Sequence, residues 1–293
     1  YQFACYKDGG MITDGVMLHL NPYKLWMVQA DGELFNWYLA HSYNYDVSIR
    51  DPQVWVSQIQ GPKSMNVLEV LLDGNLPKPW NYFDLAEVTI SGESVLISRT
   101  GFSNELGWEI YLRPGNNYEA IGEKIWKVGK NFNMVLAGTP GFRARRIEAG
   151  LLSAGNDFNN TTTPFSVGLG RFVDMQKEDF LGKHALQGTS KRNKLRGIKV
   201  RNGVANRAEL YSLKKKVIGR VTSSTWSPYL MCGVGIVHLD DPIVDPSSEV
   251  SVVGIDGNDY SAKLCELPMY DTNNLIVRGK VSSVPSRENP WEG

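Results

Sequence analysis

The chain has 293 residues, of which 42% are hydrophobic and 21% are charged, values typical of a globular protein with a substantial core. Lysine plus arginine equals aspartate plus glutamate at 31 each, which excludes the strong net field of many proteins that bind nucleic acids or anionic membranes. The three cysteines are too few and too scattered for a disulfide framework or a zinc site, which fits a reducing cytoplasm. The length suits two domains or one large α+β unit.

No apolar run approaches the roughly 18 residues that can span a bilayer, so we expect no membrane partner. The chain opens with tyrosine rather than methionine, and residues 1–6 already have the pattern of a strand. We therefore expect an upstream segment to precede Tyr1 in the complete protein.

The first elements alternate between strand and helix. Residues 16–30 have the pattern of a strand, an Asn-Pro turn and a second strand, which predicts a hairpin. Asp31 is then predicted to cap a helix that runs to about residue 43. A short strand with polar flanks is expected at 46–51.

The next elements predict a sheet with helices. Between 54 and 72 the hydrophobic pattern changes from alternation to a helical period at a Gly-Pro pair, which suits the first turn of a helix. Strands are predicted at 87–98 and 107–112. This order indicates an α+β protein with mostly antiparallel sheets.

The C-terminal part has a different pattern. Helices are predicted over about 115–130 and 143–152, and a turn-rich loop follows them. From about residue 194 the chain consists of short strands separated by turns, which predicts an all-β, barrel-like module. We place an α+β core of two interleaved subdomains in 1–187 and the β-barrel domain in 188–293.

Several kinds of catalytic chemistry have no support in the sequence. There is no glycine-rich phosphate loop followed by a helix, and no pattern typical of a catalytic serine or cysteine. None of the four histidines has a cysteine or carboxylate at the sequence spacing typical of metal ligands, so no metal site is expected. If the chain is an enzyme, its substrates must supply the reactivity.

Five local motifs occur in one order along most of the chain. They are "DGGMITDGVM" at 8–17, "IQGPKSMNVLEVL" at 59–71, "RTGFSNELGWEIYL" at 99–112, "RRIEAGLLSAGNDFNNTTTPFSVGLGRFVDMQKEDFLGK" at 145–183, and "KLRGIKV…VIGRVTSSTWSPYLMCGVGIVHL" at 194–239. Together they resemble the tetrahydrofolate-dependent aminomethyltransferase family, which includes the T-protein of glycine cleavage. The resemblance implies the folate-binding aminomethyltransferase fold and tetrahydrofolate as the cofactor.

Within that family the chain is more similar to the dimethylsulfoniopropionate demethylases. "VGKNFN", "RIEAGLLSAGNDF", "PFSVG", "FLGK" and the tyrosine in "EIYL" resemble that branch. T-protein is expected to have two adjacent aspartates where this chain has Thr13-Asp14. It is also expected to have a Tyr-Thr-Gly-Glu-Asp-Gly turn where this chain has residues 102–107.

The resemblance implies roles for individual residues. Asp14 matches the family's carboxylate near the reacting folate nitrogen and is the expected catalytic residue. Glu109 matches the glutamate that binds the pterin ring, and Phe102 falls where the family often has a tyrosine against the folate. Arg146 matches an arginine beside the folate or substrate.

Three aromatic residues are weaker matches to the walls of the pocket. Tyr111 is assigned to the cofactor side, and Tyr1 and Trp226 are assigned to the substrate side. No residue is assigned to a metal.

Structural alternatives remain open for these residues. An aspartate before glycine, such as Asp14, is typical of a turn. Glu109 could lie on the solvent face of an amphipathic strand, and Trp226 could be a hydrophobic plug in the β module. Arg146 could be on the surface of its helix, and so could Arg143 or Arg145.

The resemblance implies a methyltransferase that moves a methyl group from dimethylsulfoniopropionate, or a similar small methyl donor, to N5 of tetrahydrofolate. Because a sulfonium leaves as a neutral thioether, alignment of the reactants could supply much of the acceleration. We expect a small-molecule donor and neither nucleic acid nor membrane as a partner, and a homodimer is left open.

Three alternatives remain. One is a T-protein-type aminomethyltransferase, which would need a lipoyl-carrier partner. Another is a tetrahydrofolate-dependent O-demethylase of methoxylated aromatics. The third is a non-catalytic folate-binding regulatory or assembly protein.

Overall fold

The computed structural model describes residues 1–30 and 32–283. Tertiary contacts divide the chain into two compact units. The first joins Tyr1–Arg50 to Gly150–Met269, and the second joins Asp51–Ala149 to a segment that begins at Tyr270. The chain therefore leaves the first unit, builds the second, and returns to the first.

The first unit begins with a three-stranded antiparallel sheet. Its strands, in the order β1-β2-β3, are β1 (Gln2–Cys5), β2 (Met11–Asn21) and β3 (Lys24–Val28), followed by helix α1 (Leu34–His41). The β2–β3 pair confirms the hairpin predicted for 16–30. The predicted cap, Asp31, lies outside the described residues, and the helix begins after Glu33, whose side chain makes no capping hydrogen bond.

The second unit is built on a four-stranded antiparallel sheet in the order β4-β7-β6-β5. The sheet has two helices packed on one face, and a third helix follows later in the chain. These elements are β4 (Trp55–Gln60), α2 (Ser64–Leu71), β5 (Leu85–Ile90), β6 (Glu93–Ser98), β7 (Gly107–Leu112), α3 (Tyr118–Lys130) and α4 (Thr139–Ala149).

One face of this sheet is the hydrophobic core of the second unit. Alternate residues of β4, β6 and β7 pack there against α2 and α3, among them Ile59, Ile97, Trp108 and Ile110. Asn117 is the N-cap of helix α3, since its side chain accepts a hydrogen bond from the backbone N–H of Ala120. The opposite face of the sheet carries polar side chains.

The chain returns to the first unit at Gly150, forms a short helix there, and then a closed antiparallel barrel. The barrel has the strand order β10-β11-β8-β13-β12-β9. Its elements are α5 (Lys183–Gln187), β8 (Leu195–Val200), β9 (Ala205–Ser212), β10 (Val217–Ser227), β11 (Cys232–Leu239), β12 (Glu249–Gly254) and β13 (Asp259–Cys265). The predicted C-terminal barrel and the predicted α+β class with mostly antiparallel sheets are confirmed.

A buried aspartate connects the turn-rich loop to the barrel. Asp157 is 1% exposed, and its Oδ1 accepts hydrogen bonds of 2.7 Å from the hydroxyls of both Thr222 and Ser223 on β10. Its Oδ2 accepts a third hydrogen bond from the backbone N–H of Ser153. The loop and the barrel thus belong to one compact unit, and the predicted domain boundary between residues 187 and 188 stays a prediction.

Two kinds of feature are absent from the described part of the chain. Among residues 1–30 and 32–283, no helix is long and apolar enough to cross a membrane. The same residues contain no group of three or more histidine, cysteine or carboxylate side chains that could hold a metal ion.

The barrel contains a histidine that should make its stability depend on pH. Burial, and then the charges of Lys194 and Arg220, lower the pKa of His238 below its ordinary value of 6.5. Its Nε2 atom is buried without a hydrogen-bond partner in the described chain. Because the unfolded chain binds this proton first, the contribution to stability is present above pH 6.5 and is lost as the pH falls below it.

We expect His238→Asn to flatten the fall of the thermal midpoint between neutral and mildly acidic pH. Thermal melts followed by circular dichroism at a series of pH values measure this. His19→Asn, at an exposed histidine of β2, is the control and should leave the profile unchanged. A profile in His238→Asn as steep as that of the parent protein would contradict the assignment.

Candidate functional site

Glu109 lies at the centre of a hydrogen-bonded cluster on the polar face of the second unit's sheet. Its side chain is 9% exposed, and its Oε2 accepts hydrogen bonds from the Thr100 hydroxyl at 2.5 Å and the Tyr111 hydroxyl at 3.0 Å. The Ser98 hydroxyl contacts both donors, at 3.2 Å from the Tyr111 oxygen. The alternative that Glu109 lies on a solvent-facing strand surface is therefore wrong.

The strand register explains this cluster. Successive residues of a strand point to opposite faces, so Glu109 and Tyr111 share one face of β7 while Trp108 and Ile110 enter the core on the other. Ser98 of β6 lies directly opposite Glu109 in the antiparallel ladder. The carboxylate thus stands on a central strand that is buried along its whole length.

The Glu109 carboxylate contributes to the raised pKa of two tyrosines. Burial, and then the charge of Glu109, raise the pKa of Tyr111, so its hydroxyl stays protonated and donates at neutral pH. Burial, and then Glu109, also raise the pKa of Tyr82, while the charges of Arg99 and Arg278 lower it. Tyr82 therefore belongs to the electrostatic surroundings of Glu109.

Phe102 lies in the irregular segment that connects β6 to β7, and its side chain is half-buried. This segment follows Thr100 directly, so the residue assigned to stack on the cofactor is two positions from a residue that bonds Glu109. The structure places Phe102, Glu109 and Tyr111 in the same unit.

Arg146 is buried in α4, at 7% exposure beside the fully buried Ile147, so the alternative that it is a surface residue is wrong. The alternative that Arg145 is a simple surface residue is wrong as well. Its guanidinium forms ion pairs with Glu105 and Glu148 and lies 4.9 Å from the ring centroid of Tyr270.

Asp14 lies within β2, so the alternative that it is a turn residue is wrong. The Tyr1 hydroxyl donates a hydrogen bond of 2.6 Å to its Oδ2. The antiparallel register of β1 and β2 pairs Phe3 with Asp14, which brings Tyr1 to this carboxylate. Burial, and then the charge of Asp14, raise the pKa of the Tyr1 hydroxyl, so it donates at neutral pH.

The ring of Tyr1 packs against the ring of Phe172, beside the Tyr1–Asp14 hydrogen bond. The Tyr1 ring lies 4.9 Å from the ring of Phe172, and the guanidinium of Arg171 lies 4.8 Å from the Phe172 ring. Trp226 is on β10 and is 39% exposed, so it is not a plug of the barrel core.

The seven assigned residues divide between the two units. Tyr1, Asp14 and Trp226 belong to the first unit, and Phe102, Glu109, Tyr111 and Arg146 belong to the second. In each unit, one of the assigned carboxylates accepts a hydrogen bond from the hydroxyl of an assigned tyrosine. Their joint role in one site stays a prediction.

Sequence reasoning did not find the residues that hold Glu109 in place. Ser98 is the last residue of β6 and Thr100 lies two positions beyond it, and this spacing of two hydroxyl residues was the available signal. Tyr82 carried no signal, because its proximity to Glu109 arises only in the folded chain.

Comparisons with known proteins identify the family. The model of the GCVT N-terminal domain matches residues 1–177, and the model of the glycine cleavage T-protein C-terminal barrel domain matches residues 193–271. The chain is similar to an aminomethyltransferase of Caldanaerobacter subterraneus subsp. tengcongensis, with 32% identity over 86% of this chain and 70% of the relative. An aminomethyltransferase of Alkaliphilus metalliredigens is 31% identical over 93% of this chain and 76% of the relative.

A solved structure supports the fold. The crystal structure of glycine cleavage system aminomethyltransferase T from Bartonella henselae superposes with a TM-score of 0.81 at 22% sequence identity, covering 92% of this chain and 75% of that one. The predicted folate-binding aminomethyltransferase fold is therefore confirmed. None of these matches shows a specificity for dimethylsulfoniopropionate, which stays a prediction. The chain belongs to the glycine cleavage T-protein family of aminomethyltransferases, a tetrahydrofolate-binding family.

Proposed function

We propose that the protein is a tetrahydrofolate-dependent one-carbon transferase. The observation that carries this proposal is the buried Glu109 carboxylate, held by two hydroxyl donors on a central strand of a chain whose family binds tetrahydrofolate. A carboxylate on a rigid strand positions a ligand more accurately than one on a loop.

The chemistry of this donor set fits a reduced pterin. A pterin presents a ring N–H beside a 2-amino group, and a carboxylate accepts hydrogen bonds from such a pair. The hydroxyls of Thr100 and Tyr111 both bond Oε2, and no other hydrogen bond to this carboxylate comes from the described residues. Glu109 would thus hold the pterin, with Phe102 against its ring and Arg146 as a cation for the bound folate or substrate.

We assign Asp14 to the end of the cofactor at which the one-carbon unit is transferred. Tetrahydrofolate, when bound, supplies the amine nitrogen that carries the one-carbon unit. The Asp14 carboxylate would orient that amine by accepting its proton in a hydrogen bond, and would stabilise positive charge there. The Tyr1 hydroxyl fixes the orientation of the carboxylate through its 2.6 Å hydrogen bond.

The relatives favour an aminomethyl donor, because the two proteins described above are named aminomethyltransferases. A second candidate is methyl transfer from a sulfonium such as dimethylsulfoniopropionate. It is favoured by Thr13 in place of an aspartate and by Phe102 in place of a tyrosine at the folate. Aromatic side chains can hold a sulfonium by cation–π attraction, worth about 2 kcal/mol when desolvated.

Parallel assays of the intact protein with tetrahydrofolate separate these functions. An aminomethyl-lipoyl donor should release ammonia and give methylene-tetrahydrofolate, whereas dimethylsulfoniopropionate should give 5-methyltetrahydrofolate and methylmercaptopropionate. A methoxylated aromatic donor tests O-demethylation. Tight folate binding without turnover of any donor would instead indicate a non-catalytic folate-binding protein.

Glu109→Gln should weaken tetrahydrofolate binding about 10- to 100-fold, because it replaces a charged acceptor with a neutral amide. Isothermal titration calorimetry measures the dissociation constant. Glu87→Gln removes an exposed carboxylate on the neighbouring β5 and is the matched control. Unchanged affinity in Glu109→Gln would remove Glu109 from the pterin site.

Thr100→Val should weaken tetrahydrofolate binding by about threefold to tenfold, since Glu109 loses one of its two donors and becomes less ordered. The same titration measures the effect. Thr89→Val, at an exposed threonine of β5 in the same sheet, controls for the change of side chain. Equal affinities for both variants would show that the hydroxyl cluster does not position Glu109 for the cofactor.

Asp14→Asn should lower kcat about 100-fold while changing the dissociation constant of tetrahydrofolate little, because the carboxylate acts on charge that develops during the reaction. Steady-state kinetics with the active donor and calorimetry measure the two quantities. Asp8→Asn, at an exposed aspartate before β2, is the control. A loss of affinity as large as the loss of kcat would place Asp14 in cofactor binding instead.

A further inference from the structure

The motif that connects β6 to β7 contains Gly101 and Gly107. The side chain of Gln60 explains why both positions are glycine. A Cβ atom at Gly101 or at Gly107 would lie less than 3.0 Å from the amide group of Gln60. Neither glycine has a positive φ, so the backbone does not require glycine there. Both positions are free of a side chain because the Gln60 amide occupies that space.

Gln60 also makes two hydrogen bonds within the same segment. Its Nε2 donates to the backbone carbonyl of Thr100 at 3.3 Å, and its Oε1 accepts from the Ser103 hydroxyl at 2.7 Å. Ser103 is 3% exposed, and its hydroxyl oxygen in turn accepts from the backbone N–H of Glu105. A glutamine suits this position because its amide provides a donor and an acceptor at the same time.

The strand register places this amide on the face that carries the site. Gln60 of β4 pairs with Gly107 of β7, two residues before Glu109 on the same face. The backbone carbonyl of Thr100 therefore accepts a hydrogen bond from Gln60, and its hydroxyl donates one to Glu109. Phe102 lies between the two residues whose atoms Gln60 bonds.

The end of the segment is held by other contacts. The carbonyl of Leu106 accepts hydrogen bonds of 2.8 Å from the backbone N–H of Gly61 and from the Ser64 hydroxyl. Glu105 is ion-paired with Arg145 of α4. Gln60 thus bonds the backbone just before Phe102 and the side chain just after it, at Thr100 and Ser103.

We propose that Gln60 is the positioning residue of the pterin pocket, which fixes the 101–106 segment so that Phe102 stacks on the cofactor and Thr100 donates to Glu109. The proposal rests on the function proposed above. It adds a residue that need not touch the cofactor and acts through the backbone of its neighbours.

Gln60→Met tests this, because methionine has nearly the same length but forms neither hydrogen bond. We expect faster amide hydrogen exchange confined to residues 100–106 and an increase of about tenfold in the dissociation constant and KM for tetrahydrofolate, with kcat nearly unchanged. Gln58→Met, at the exposed glutamine of the same strand, is the matched control and should leave the exchange of this segment unchanged.

A second pair of variants tests the packing. Gly107→Ala should displace the Gln60 amide and reproduce the faster exchange of 100–106. The double variant with Gln60→Ala should fit the added methyl group and show exchange no faster than Gln60→Ala alone. Independent, additive effects of the two changes would overturn the assignment.

The outcomes separate this proposal from the proposed function. Unchanged exchange of 100–106 in Gln60→Met overturns the positioning role, whatever the protein binds. Faster exchange throughout the whole sheet with a lower thermal midpoint also overturns it, because that result indicates a general structural role. Failure of the parent protein to bind tetrahydrofolate overturns the proposed function instead and can be recognised before any variant is made.

Discussion

The second unit depends on one constraint, which is that the carboxylate of Glu109 is buried on a central strand and must be hydrogen-bonded there. An unpaired buried carboxylate would cost several kcal/mol, so the positions around it must supply donors. Thr100 and Tyr111 do so, and Ser98 connects the two hydroxyls. The hydroxyl side chains at and just beyond the end of β6, and the tyrosine on β7, meet that requirement.

The first unit has a similar arrangement in a different setting. Asp14 is half-buried on β2 and accepts a hydrogen bond from Tyr1 of the neighbouring chain segment. In both units burial and a carboxylate raise the pKa of the tyrosine, so each tyrosine remains a donor at neutral pH. A protonated tyrosine orients a carboxylate without neutralising it, which suits carboxylates that must bind or stabilise positive or hydrogen-bond-donating groups.

Family membership defines the cofactor more clearly than the donor. The residues that donate hydrogen bonds to Glu109 lie within one sheet and its connecting segment. Which one-carbon donor an enzyme accepts depends on its site and not on its fold, so members of one family can differ in the donor. Identities near 30% to proteins named aminomethyltransferases therefore establish the family and leave the one-carbon donor to be determined by experiment.

The sequence by itself determined the elements whose signals are local. The alternating pattern and turn residues predicted short strands from about residue 194, and β8 begins at Leu195. It also predicted a strand at 46–51 that does not form, because a strand needs a hydrogen-bonded neighbour and these residues have none in the described sheets.

Only the tertiary structure decided what the side chains of the site contact. Asp14 has the local sequence of a turn residue, yet it lies in a strand because β1 and β3 pair with its segment on both sides. Gln60 has no signal of its own, and its role appears only when β4 pairs with β7 and brings its amide over the two glycines. The physical reason is that periodicity reports which face of an element is buried, whereas hydrogen-bond partners far apart in sequence depend on strand order and register, which long-range pairing sets.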